Sequence, residues 1–102
     1  MLKDKNKLQR EADAQIKLSN GVELSIYDFS TENNERFTCK FTLADSFIIY
    51  GRVIVNRKKK NAFISYPSYY DKTAEKYVNQ AYCFDKDIIS EINNFLDDTF
   101  FN

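Results

Sequence analysis

FTCKFTLADSFIIYGRVIV, residues 37–55, alternates apolar and polar positions on the near side of one short break and turns β-rich beyond it. Phe37, Cys39, Phe41 and Leu43 interleave with Thr38, Lys40 and Thr42. That two-residue period belongs to a strand with one face in a core and the other in water. Ala44-Asp45-Ser46 is too short to be anything but a tight connection, so Phe47–Val55 predicts a second strand running back along the first. Gly51 within it marks a bulge or a close backbone approach.

The same period extends outward on both sides. Upstream, Ile16 and Leu18 precede Asn20-Gly21, and Val22, Leu24 and Ile26 follow it. Asn-Gly between alternating runs is a hairpin signal because both residues tolerate positive φ. STENNE, residues 30–35, supplies the next turn. Downstream, NRKKKN (56–61) turns the chain, AFISY (62–66) reads as a short strand ended or placed at an edge by Pro67, and EKYVNQAYCF (75–84) reads as a last strand. At Asp85 the period changes. Asp85 is an N-cap candidate, and Ile88, Ile89, Ile92, Phe95 and Leu96 form one helical stripe.

These elements predict an α+β domain: an antiparallel β-meander of five or six strands with one C-terminal helix packed on a face. Residues 1–13 are polar with a sparse rhythm and read as a flexible N-terminal tail; 14–98 form the domain; 99–102 read as a short C-terminal tip. The 102 residues suffice for one modest core.

Composition narrows the function. The chain has no histidine and only two glycines, Gly21 and Gly51. The commonest general base, Cys-His nucleophiles and glycine-rich phosphate loops are therefore excluded. Cys39 and Cys83 read as buried thiols. Asp85, Asp87, Glu91, Asp97 and Asp98 read as capping and solvating groups near a helix rather than as metal ligands. The expectation is a protein that is not an enzyme and needs no cofactor or metal. No apolar run is long enough to cross a membrane and the charged start lacks the apolar stretch of a signal peptide, which predicts a cytoplasmic chain without membrane partners.

The formal net charge is zero, but it is unevenly distributed. Residues 52–76 carry seven Lys/Arg against two Asp/Glu, whereas residues 77–102 carry one against five. Within the basic segment lie four of the seven tyrosines, counting Tyr77 at its border. Binding a single nucleic-acid strand requires cations for successive phosphates and flat rings for bases. Arg57, Lys58, Lys59, Lys60, Lys72 and Lys76 meet the first requirement, and Tyr66, Tyr69, Tyr70 and Tyr77 the second. A strand engaging more than one loop would run along the sheet face and use Lys40, Arg52 and Tyr66. The plainer alternative is a lysine-rich solubilising turn beside half-buried sheet tyrosines.

Three stretches resemble the stage V sporulation protein G (SpoVG) family of small bacterial nucleic-acid-binding regulators: residues 37–55, FISYPS at 63–68, and EKYVNQAYCFDKDIISEINNFL at 75–96. The resemblance implies a cytosolic, dimeric domain that binds DNA or RNA without a cofactor. Where that family places Lys-Arg after the Pro-Ser pair this chain has Tyr69 and Tyr70, and its helix carries Asp87 and Glu91 in place of basic residues. Exchange of cations for rings moves the expectation toward single strands, where stacking replaces charge.

LDDTFFN, at the C-terminus, is similar in kind to the acidic, phenylalanine-ended tails with which bacterial and phage single-stranded-DNA-binding proteins recruit replication partners. That similarity implies Asp97, Asp98, Phe100 and Phe101 as a partner-binding tip. A second functional class also fits the sequence: a protein-interaction module, an accessory subunit docking to a larger replication or regulatory enzyme through its aromatic face.

Overall fold

In the computed structural model the chain is described over residues 11–27 and 36–102. The alternation read from the sequence produces five antiparallel strands in chain order: β1 (Ala14–Lys17), β2 (Glu23–Tyr27), β3 (Arg36–Leu43), β4 (Phe47–Asn56) and β5 (Asn61–Ser65). Each pairs with its sequence neighbour, so the sheet is a meander. Beyond Pro67, β6 (Ser68–Asp71) and β7 (Lys76–Asn79) form a separate two-stranded ribbon, and helix α1 (Lys86–Phe101) ends the chain. The α+β expectation holds; the seventh strand arises because the segment after Pro67 folds back on itself and does not extend the main sheet. The turn at 30–35 and residues 1–10 of the expected tail lie outside the described residues. Asp13, which the tail was expected to include, donates its N–H to the Ile26 carbonyl at 2.9 Å.

Turn chemistry sets the register. Leu18 N–H bonds the Val22 carbonyl at 2.8 Å across the Asn20-Gly21 corner, where Gly21 takes φ 89°. The β3–β4 connection puts Ala44 and Asp45 at φ 51° and 54°, which aligns Leu43 with Phe47. Asn56 accepts from the Lys59 N–H at 3.1 Å and organises the basic turn between β4 and β5.

On β2 the outer-phase Ser25 and Tyr27 are buried, and on the sheet's inner face Leu24, Ile26, Phe37, Cys39, Phe41, Val53 and Val55 are buried too. Helix α1 lays Ile88, Ile92, Leu96 and Phe100 on them, one residue per turn. Ile89, expected in that stripe, points away and is exposed. Each fully buried aliphatic side chain of this kind contributes roughly 1.5–3 kcal/mol. Asp85 caps the helix by accepting from the N–H groups of Asp87 and Ile88 at 2.9 and 3.3 Å. In the middle of α1 the Glu91 carboxylate accepts from both the N–H and the hydroxyl of Ser19, tying the helix to the β1–β2 turn. Among the described residues no helix is long and apolar enough to cross a membrane.

Candidate nucleic-acid interface

Strand alternation sorts the expected site residues onto two faces. Residues directly opposite each other in an antiparallel pair project to the same side. Lys40 lies opposite Tyr50, and Arg52 lies between Thr38 on β3 and Ser65 on β5. All five are out of phase with the inner-face pairs Phe37–Val53, Cys39–Gly51 and Val53–Ile64 and therefore stand on the outer face, away from α1. Lys40 is half-buried, its ammonium 5.5 Å from the centre of the Tyr27 ring; Arg52 is exposed.

Tyr66 does not join them. Its ring stacks on the inner-face Phe41 with centroids 5.8 Å apart, and it is half-buried. Burial pushes its hydroxyl pKa up to about 12, the neighbouring Cys83 and Cys39 thiols add to the rise, and the Cys83 backbone hydrogen bond opposes it. Tyr66 belongs to the core side of the sheet, so the expected face of Lys40, Arg52 and Tyr66 is corrected to Lys40 and Arg52 alone.

The basic turn is also divided. Lys58, Lys59 and Lys60 are exposed. Arg57 instead reaches the helix: its Nη1 donates to the Phe100 carbonyl at 3.0 Å, and its guanidinium lies 5.9 Å from the ring centres of both Phe100 and Phe101. The last turn of α1 has no basic side chain, and Asp97 and Asp98 lie close to it. A helix C-terminus concentrates carbonyls and partial negative charge. Arg57 supplies the missing cation from across the fold, a structural task in addition to the phosphate contact expected of it.

The tyrosines after Pro67 are separated by the same geometry. In the β6–β7 ribbon Tyr70 lies opposite Tyr77 and Tyr69 opposite Val78. Tyr70 and Tyr77 meet edge to face at 5.2 Å. Adjacent residues of a strand point to opposite sides, so Tyr69 cannot share a stacking surface with Tyr70. Lys76, opposite Asp71, stands on the Tyr69 side, and Lys72 is exposed in the connecting turn.

The C-terminal tip is not a free tail. Helix α1 continues to Phe101, and Phe100 is buried with its ring 5.0 Å from that of Phe37. Phe101 is half-buried; Asp97 and Asp98 remain exposed. An acidic tail that recruits a partner needs its phenylalanines outside, so the partner-binding role of Phe100 is corrected to core packing.

Two rings that the sequence reading passed over stand on the outer face: Tyr50, 47% exposed, and Phe63, 48% exposed. The signal was present. Tyr50 has the phase of Arg52 on the same strand, and Phe63 lies opposite Ile54, which shares that phase.

On the inner side a cavity of about 340 Å³ opens between the sheet and the start of α1, with Leu43, Ile49, Tyr66, Tyr82, Phe84 and Ile88 in its lining. Phe84 at its rim is 83% exposed. Comparison of the chain with protein families, curated proteins and solved structures finds no match to any of them.

Proposed function

We propose that this chain is a binding protein for single-stranded DNA or RNA that tolerates different sequences, neutralising phosphates with lysine and arginine and stacking bases on exposed rings. One observation carries the reading: among the described residues the carboxylates of α1 and the exposed cations of β4 and the β4–β5 turn stand on different parts of the fold. The acidic groups of α1 lie on one side of the sheet; Arg52 with Tyr50 and Phe63 stands on the other, and Lys58–Lys60 stand exposed at the hairpin end. A polyanion is attracted to such a ribbon and kept away from the helix. The resemblance to the SpoVG family supports the same class of ligand and a homodimer, which would cover one of the sheet's edge strands, β1 or β5. Titration of a fluorescently labelled oligonucleotide at two salt concentrations tests the reading. Binding that weakens steeply with salt is expected, and an absence of binding at low salt overturns it.

The cavity beside Phe84 favours a second reading, an accessory subunit that docks a larger protein through an apolar anchor. Phe84→Ser separates the two: the docking role requires loss of partner association with unchanged oligonucleotide affinity.

A further inference from the structure

The outer face of β3, β4 and β5 carries a row whose members come from three strands: Thr38, Arg52 and Ser65, mutually aligned by register. A hydroxyl therefore flanks the guanidinium on either side. One step along the sheet in one direction is the row of Lys40 and Tyr50; one step in the other is the row of Ile54 and Phe63. Rows on one face recur every ~6.6 Å along a strand, and neighbouring strands lie ~4.8 Å apart. The sequence of chemistries across the face is thus ring, donor-rich row, ring.

Resting on the single-strand reading above, we infer that this face is a dinucleotide platform. The phosphodiester between two nucleotides sits on Arg52, Thr38 and Ser65; one base stacks on Tyr50 and the other on Phe63. The guanidinium offers paired N–H donors to phosphate oxygens, and the two hydroxyls add neutral donors at its sides. Lys40, beside Tyr50, faces the next phosphate along the strand. Rings two rows apart are reached when the two bases are splayed to opposite sides of one phosphate, which a flexible single strand permits, whereas a duplex keeps its bases stacked inward and cannot offer them to two separated rings. Every side chain on the platform other than the two rings and Ile54 is a donor of hydrogen bonds, and the platform residues include no carboxylate. A polyanion is therefore the occupant whose charge complements the face. Tyr70 and Tyr77, already paired with each other in a separate ribbon, lie outside this footprint.

Aromatic and amide NMR spectra of the labelled protein, titrated with oligothymidylate and oligouridylate at low salt, test the inference. Signals of Tyr50, Arg52 and Phe63 should shift together. Tyr50→Ala and Phe63→Ala should each weaken binding roughly 5- to 100-fold, the worth of one base stack. Arg52→Lys should lose part of the affinity that Arg52→Ala loses, because charge survives without the paired donors. Circular dichroism of each variant checks that the exposed substitutions leave the fold in place. Shifts confined to the β6–β7 ribbon and the lysine turn, with Tyr50→Ala and Phe63→Ala binding like the parent, overturn the platform and leave single-strand binding standing. No binding by the parent protein removes both.

Discussion

Arg57 and Phe100, 43 residues apart, are joined by a guanidinium that donates to a helix-terminal carbonyl at 3.0 Å. The contact fastens the β4–β5 turn to the end of α1 and sets Arg57 apart from the three lysines that follow it. Arg57→Ala should therefore lower stability by about 1–2 kcal/mol, from the lost charged hydrogen bond and the unopposed helix terminus. Lys58→Ala should cost almost nothing in a urea melt. Equal losses would show that the contact is not worth more than a surface charge.

The lysine turn should report itself through salt. Each phosphate neutralised on a single strand contributes about 0.7 to the slope of log affinity against log salt. Replacing Lys58, Lys59 and Lys60 together by alanine should reduce that slope by about 2 if each meets a phosphate. An unchanged slope in the fluorescence titration places the three lysines away from the nucleic acid.

Gly51 is held by space and not by a left-handed backbone. A Cβ there would come within 2.9 Å of the Ser65 carbonyl and 3.3 Å of the Cys39 sulfur. Because the closer atom is backbone, β5 must move to admit a methyl group. Gly51→Ala should cost about 1–3 kcal/mol, the usual range for overpacking. The measurement is the midpoint of chemical unfolding, and an unaltered midpoint would mean that β5 is free to give way.

Alkaline pH should unfold the protein early. Desolvation by burial raises the Cys39 thiol from 9.0 to about 12, with the Gly51 backbone hydrogen bond acting against it, and Tyr66 rises from 10.0 to about 12. In both cases the folded state keeps its proton at pH values where the unfolded chain has lost it. The unfolded state then binds fewer protons, so stability falls as pH rises. The loss begins above about pH 9 for Cys39 and above about 10 for Tyr66, and continues to about 12. Cys39→Ala and Tyr66→Phe should each flatten the decline seen by circular dichroism between these limits.

Alternation made β3 and its neighbours legible, because β3 keeps one phase of apolar residues from end to end, and turn chemistry with β-rich composition marked β4 and β5. The same phase also identifies Tyr50 beside Arg52 and puts Tyr69 and Tyr70 on opposite sides, once a strand is recognised after Pro67. Two features are invisible to local pattern. The capture of Arg57 depends on where α1 ends relative to a turn 43 residues earlier, and the stacking of Tyr66 on Phe41 depends on which way the chain leaves β5. Basic and aromatic composition picks out a stretch of the chain, and only three-dimensional register divides its residues among the outer face of the sheet, the clamp on α1 and the core.

The chain-order pairing of β1 through β5 has a kinetic consequence. A sheet in which every strand meets its immediate predecessor can zip hairpin by hairpin, closing only small loops at each step. Docking of α1 is different, since the Ser19–Glu91 contact spans 72 residues and gains nothing until most of the chain is in place. The helix should accordingly be the last unit to form and the first to open, and its amides should exchange with deuterium ahead of those of β3 and β4.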